Sequence, residues 1–264
     1  MLPALNIYSP KHSPKPDTKP DSFFRNRLFI LCPGYLDSKD YSHLTLLGKD
    51  LTHLGATALS FDPIGTWQSD GDISEYTITQ YQKTLKDLID HAEKTLNIHE
   101  IVLVGHSMGG YNALVYTPTD ARVKAVVAIM TPPTVERADN LDRIQLWKST
   151  GKRDSIRDMP DDQTSTKAFT VPVSYLDDSG RFDVSESISQ ISVPSLYIAG
   201  NEDIIVTPVE MRKLYESANQ PKTYTLISEI DHDYRKNKGA IRKVNRAIIR
   251  GLKEFGNLSR SLVN

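Results

Sequence analysis

Apolar residues in this chain follow two patterns. Short, nearly unbroken runs occur at 28–32 (LFILC), 101–104 (IVLV), 123–129 (VKAVVAI) and 195–199 (SLYIA). Such runs have no polar face, as expected of strands covered on both sides in a parallel sheet. Residues 56–61 and 223–227 read as further strands. Between them apolar residues recur at helical spacing. Residues 41–54 form one such segment, closed by Gly55 at the position of a C-cap. A second covers 75–96, with Ile78, Tyr81, Leu85, Leu88, Ile89, Ala92 and Leu96 on one face. Residues 111–116 and 208–218 are shorter, and 238–255 presents Ile241, Val244, Ile248, Leu252 and Phe255. Alternation of strand and helix predicts an α/β fold, a mostly parallel, doubly wound sheet with right-handed crossovers and helices on both faces. Binding sites in such sheets lie at the carboxyl ends of the strands.

Two intervals break the alternation. Residues 1–27 are expected to form an N-terminal arm, with a short edge strand at 4–8 and a proline-rich loop at 9–22 that holds neither ladder nor helix. Residues 132–192 fall between core segments 28–131 and 193–264. They read as a helix at 135–148, a polar stretch, a strand at 169–175 and a short helix at 184–191. An insertion after one core strand and before the next is expected to form a small cap over the carboxyl edge of the sheet. No internal repeat or low-complexity segment is present.

Composition narrows the partners. Across 264 residues, 32 basic and 33 acidic side chains leave a net charge of −1. No broad field then recruits nucleic acid or an anionic membrane, and the expected partner is a small molecule. The oligomeric state is left open. Cys32 is the one cysteine, which excludes an internal disulfide and reads as a buried small apolar residue. No apolar run approaches the roughly 18 residues of a membrane span, and the N-terminus lacks the pattern of a signal peptide. A soluble cytoplasmic protein is expected.

Chemistry enters at Gly105-His106-Ser107-Met108-Gly109-Gly110, which follows an apolar strand and opens a helix. A serine on so sharp a turn is presented at the sheet edge, beside free helix N–H groups that favour a developing anion. A hydroxyl needs a base to remove its proton and an acid to orient the base. Six of the seven histidines precede Ser107, and His232 alone follows it, in a loop after the 223–227 strand. The order serine, acid, histidine therefore selects His232 as base. Asp203, after the 195–199 strand, is the candidate acid, with Glu202 its nearest rival. Backbone N–H groups of Met108 and Tyr35 are the expected oxyanion donors. Trp67, Trp147 and Tyr175 are candidates for the pocket wall. Neither a cofactor nor a metal is implied.

Pro33-Gly34-Tyr35, Phe61-Asp62-Pro63-Ile64-Gly65, Gly105 to Gly110, Gly200-Asn201-Glu202-Asp203 and Asp231-His232, in that order, resemble the landmarks of the α/β-hydrolase superfamily. Within it the chain is similar, over about residues 28–255, to small-capped serine esterases. These are the bacterial cinnamoyl and feruloyl esterases and the monoacylglycerol lipase and serine aminopeptidase relatives. Two departures stand out. Most relatives carry His-Gly where this chain has Pro33-Gly34, and a Gly-His-Gly type turn where it has Gly65-Thr66-Trp67. The resemblance implies the α/β-hydrolase fold and a serine hydrolase that cleaves a small carboxylic ester through an acyl-enzyme. An amidase, peptidase, thioesterase or acyltransferase would use the same three residues. A non-catalytic small-molecule binding protein is the alternative from another class.

Overall fold

The apolar runs become neighbouring strands. The computed structural model describes residues 1–10, 23–139 and 141–261. Its first half runs β1 (Leu5–Tyr8), β2 (Arg27–Cys32), α1 (Ser42–His53), β3 (Thr57–Phe61), α2 (Ile78–Leu96), β4 (Glu100–His106), α3 (Met108–Tyr116) and β5 (Val123–Ile129). The insertion follows as α4 (Leu141–Thr150), β6 (Lys152–Asp158), β7 (Thr166–Pro172), α5 (Ser174–Ser179) and α6 (Val184–Gln190). The core resumes with β8 (Ser195–Gly200), α7 (Pro208–Ser217), β9 (Lys222–Ile227) and α8 (Lys238–Ser261).

Seven strands form one sheet in the order β1-β3-β2-β4-β5-β8-β9, parallel except for β1, the antiparallel edge strand expected near 4–8. Successive residues point to opposite faces, so each buried strand feeds two cores. Leu28, Ile30, Leu103 and Tyr197 join the residues of α2, α3 and α7. Phe29, Leu31, Val102 and Ile198 pack with α1 and α8, where Ile241, Val244, Ile248, Leu252 and Phe255 all face inward. Phe23 and Phe24, just before β2, belong to this second core, and Phe24 stacks on Phe29. Residues 11–22, most of the expected proline-rich loop, lie outside the described residues. Among the described residues no helix is long and apolar enough to cross a membrane.

From β2 the chain passes to β3 on one side, while β4 lies on the other. That reversal opens a crevice at the carboxyl ends of β2 and β4. Register places Cys32 opposite Gly105, so the turns leaving the two strands are neighbours.

The insertion packs on the α2 and α3 side, where Trp147, Val171, Val184 and Ile188 enter the first core. Its hairpin, β6 against β7, stands apart from the main sheet. Several boundaries differ from expectation. The helix expected over 75–96 starts at Ile78, because Thr77 caps it and Asp72 closes a separate 3-10 turn at Ile73–Glu75. Leu96, in the last turn, is 41% exposed rather than inward. The 135–148 helix is broken into a 3-10 turn at Glu136–Ala138 and α4, with Asp139 extended between them. The strand expected over 169–175 ends at Pro172, which lacks the N–H needed to continue a ladder, and Tyr175 lies in α5. The preceding polar stretch contains β6, which hydropathy did not reveal.

Candidate active site

Where β4 meets α3, Ser107 adopts φ 53 and ψ −122, a conformation rare for any residue with a side chain. The turn is held from both ends: Ser107 donates its N–H to Ile129 (2.9 Å), and its carbonyl accepts from Tyr111 (3.0 Å). Glycine permits the crossing. A Cβ at Gly105 would lie 2.2 Å from the Gly109 carbonyl carbon, and one at Gly109 would lie 2.0 Å from the Cys32 oxygen. The serine is 8% exposed, a hydroxyl at the floor of a cleft.

Three side chains from separate loops converge there. His232 Nε2 is 3.0 Å from Ser107 Oγ, and His232 Nδ1 is 2.8 Å from Asp203 Oδ2. With Nδ1–H donating to the carboxylate, Nε2 is the nitrogen free to accept the serine proton. Asp203 is buried, and its other oxygen accepts the N–H groups of Ile205 and Val206, both at 2.8 Å. One residue thus orients the imidazole and also caps the turn before α7. Glu202 is exposed, and Asp233 pairs with Lys236 at 2.8 Å, so neither competes for the ring.

Beyond β2, the turn at Gly34 to Asp37 is closed by Asp37 N–H to the Gly34 carbonyl (3.1 Å) and by Gly34 N–H to Asp37 Oδ2 (3.2 Å). Leu36, at φ 52, donates its N–H to the Tyr76 hydroxyl (2.9 Å). Among the described residues the N–H of Tyr35 is the one in this turn without a protein acceptor. Met108, first in α3, has no intrahelical acceptor either. Both groups flank the crevice beside Ser107.

The cleft is a cavity of about 140 Å³. Tyr35, Met108, Val135, Trp147 and Ile205 form its apolar wall; Asp37, Asp139, Arg153, Arg157, Asp233 and Arg235 form a charged one. Trp147 therefore lines it, with its indole N–H on the Val171 carbonyl at 3.1 Å. Tyr175 does not: it is sandwiched behind Trp147 and Tyr76, with ring centroids at 5.8 and 5.1 Å. Trp67 also lies outside the lining. Its indole N–H is taken by the Leu36 carbonyl (3.0 Å) and its ring packs on Tyr41 and Phe169.

Beside Ser107 and His232 are two further histidines. His43 and His106 are buried, and no ring nitrogen of either has a hydrogen-bond partner among the described residues. Burial lowers His43 to about 4 and His106 well below the usual imidazole range, so both are neutral. With Asp37 they form the one such cluster of metal-ligand types among the described residues, their donor atoms within 4.8 Å of one another. Burial is the largest cause for both rings; Arg157 and Arg235 also disfavour positive charge on them, whereas Asp37, 3.8 Å from His43 Nε2, favours it on that ring. Cys32 is buried and its thiol is pushed up to about 12, which makes it an inert core residue.

The arginines and their carboxylates are functional candidates that the sequence did not expose. Arg153 and Arg157 alternate along β6 with Asp154 and Ile156. A period-two reading by hydropathy turns Ile156 inward and the arginines to water, the reverse of what the structure holds.

Residues 27–162 match a family model described as alpha/beta hydrolase fold. Among curated proteins, the chain is similar to the mitochondrial palmitoyl-protein thioesterase ABHD10 of Homo sapiens, 26% identical over 183 residues. That match covers 67% of this chain but 57% of the relative, so the chain spans less than two thirds of its length. Among solved structures, Est1E from Butyrivibrio proteoclasticus with ferulic acid bound superposes with a TM-score of 0.71 at 18% identity, over 99% of this chain and 97% of that one. A monoacylglycerol lipase from Paleococcus ferrophilus gives 0.72 at 19%, over 97% and 100%.

Proposed function

This chain belongs to the alpha/beta hydrolase fold family, and from that premise we propose that it is a serine hydrolase cleaving a small carboxylic ester through an acyl-enzyme. The observation that carries the reading is the unbroken relay from Asp203 through His232 to Ser107, at 2.8 and 3.0 Å. Ser107 Oγ attacks the ester carbonyl as His232 Nε2 takes its proton. Asp203 holds the ring and steadies its positive charge. The N–H groups of Tyr35 and Met108 receive the developing oxyanion. His232 returns the proton to the leaving alcohol, then activates the water that releases the acid. Residues 132–192 act as the cap that walls the site. A cavity of about 140 Å³ falls below the roughly 300 Å³ at which small-molecule pockets begin, which favours a short acyl group.

Chromogenic oxyesters and thioesters of graded acyl length, with fluorophosphonate labelling, test this reading. Ser107→Ala should abolish both turnover and label without changing Tm, since it removes one oxygen and little buried surface. Asp203→Asn should lower kcat by about 10³ to 10⁴ with KM little changed, through the wrong histidine tautomer. Near-normal turnover in either variant would sink the assignment. A preference for thioesters would give the thioesterase reading.

A further inference from the structure

Strand β6 turns its polar residues inward. Arg153, Ser155 and Arg157 are half-buried, whereas Lys152, Asp154 and Ile156 face water, with Ile156 71% exposed. A strand serving only to cover an apolar group would bury Ile156 and release the guanidiniums to solvent, because desolvating charge is costly. Each inward residue instead meets the turn that follows β2. The Arg153 guanidinium lies 5.4 Å from the Tyr35 ring, Ser155 Oγ is 3.5 Å from the Tyr35 hydroxyl, and Arg157 Nη2 pairs with Asp37 Oδ1. Residues 153, 155 and 157 share one face of the strand, and that face lies along the turn.

The turn does not keep its shape unaided. Leu36, at φ 52, holds a left-handed backbone that is uncommon for any residue with a side chain and persists only where surrounding contacts over-determine it. Core residues fix Leu36 itself: its N–H is taken by the Tyr76 hydroxyl at 2.9 Å, and its carbonyl accepts from the Trp67 indole at 3.0 Å. The peptide joining Gly34 to Tyr35 is left to Asp37. Glycine restrains that plane little. Asp37 holds it twice, with its backbone N–H on the Gly34 carbonyl (3.1 Å) and its Oδ2 accepting the Gly34 N–H (3.2 Å). In a trans peptide the carbonyl and the following N–H point opposite ways, so anchoring the Gly34 carbonyl on Asp37 aims the Tyr35 N–H to the other side. What fixes Asp37 therefore fixes that donor. Its other carboxylate oxygen is held by Arg157, which reaches it from the insertion.

Resting on the Ser107 reading, we propose that Arg157 is a positioning residue for catalysis. Through Asp37 it holds the Gly34–Tyr35 peptide with the Tyr35 N–H set for the oxyanion, so the insertion serves the chemical step as well as walling the site.

Turnover of para-nitrophenyl acetate by the full chain, with inhibition by a methyl trifluoromethyl ketone, tests the brace. Ser107 Oγ adds to the ketone carbon, its proton passes to His232 and the carbonyl pair moves onto oxygen, so affinity for the ketone reads the same N–H donors as the transition state. Asp37→Ala combined with Arg157→Met leaves neither charge of the pair buried alone. This double variant should lower kcat about tenfold or more and weaken the ketone by a similar factor, with KM changed less than about threefold. Arg157→Lys keeps the charge without the planar fork and should lose about threefold or more in both, less than the double variant. Thermal melting establishes folding, and if the double variant does not fold, Arg157→Lys carries the test alone. Wild-type kcat in the folded variant would overturn the brace, as would a loss confined to KM or a fall in kcat that ketone affinity does not follow. Fluorophosphonate labelling isolates the premise. A wild-type chain that neither takes the label nor hydrolyses the ester would refute the serine-hydrolase reading and the brace with it, whereas a labelled, active wild type leaves only the brace at stake.

Discussion

His43 and His106 lie behind His232 and Ser107, 3% and 5% exposed, with their rings edge to face against each other and against Tyr234. Packing of this kind favours an imidazole over an imidazolium at His43: the cost of burying the charge outweighs the attraction of Asp37, 3.8 Å from Nε2, and Arg235 and Arg157 add to it. A pH dependence of stability follows from His43. Its folded value of about 4 lies below the 6.5 of an unperturbed histidine, so between those limits the unfolded chain binds a proton that the folded chain refuses. The contribution is complete above about pH 6.5 and is lost as the pH falls toward 4, amounting to about 3 kcal/mol. Urea unfolding at pH 7 and pH 4.5 should show a smaller loss in His43→Phe, which keeps the ring packing and removes the titration. Equal losses in the two proteins would mean that His43 is not held neutral.

At the scale of elements, the site is the meeting of α3 with the ends of β2 and β4. The helix approaches so closely that the Gly109 backbone touches the Cys32 carbonyl, and neither partner is a side chain that can swing aside. Gly109→Ala should force α3 away from β2, displacing Ser107 and Met108 at its N-terminus relative to the Tyr35 turn. Destabilisation by about 3 kcal/mol is expected, near the upper end for overpacking, with a loss of kcat beyond what the remaining folded fraction explains. Denaturant midpoints and turnover measured on one preparation check both halves. A fully active, stable Gly109→Ala protein would show that the elbow has slack the close approach does not suggest.

For the whole molecule, the hairpin of the insertion is tied to the core by ion pairs from Arg157 to Asp37 in the turn after β2 and from Asp158 to Arg235 before α8, and by hydrogen bonds from the Tyr41 hydroxyl to the Asp158 carbonyl and from Lys167 to the Trp67 carbonyl. Replacing all of residues 135–190 would also strip Val184, Ile188 and Trp147 from the first core, so the hairpin alone is the cleaner target. Its ends already meet, with Val173 N–H on the Gly151 carbonyl at 2.8 Å. Excising residues 152–172 with a short turn should lower Tm yet leave hydrolysis of an acetate ester measurable. Discrimination among larger acyl groups should flatten, because selectivity depends on transition-state contacts that the hairpin makes. An unchanged kcat/KM profile in a folded protein would place the acyl wall outside the hairpin, in Val135, Trp147 and the core loops.

The sequence by itself determined the framework, since each apolar run has one stable fate: a strand buried on both faces, joined by helices whose spacing shows their inner side. It also offered Ser107, His232 and Asp203 as candidates, whose side chains the structure brings within hydrogen-bond distance, because a turn of glycines around a serine, and the order of loops at strand ends, are local facts. Only the tertiary structure decided what surrounds them. The break at Asp139 and the burial of Tyr175 and Trp67 away from the cavity depend on partners far along the chain. So does the inward turn of Arg153 and Arg157, for a strand's two faces are alike until something covers one, and here ion pairs with Asp37 and Asp139, distant in sequence, reversed the choice that hydropathy would have made.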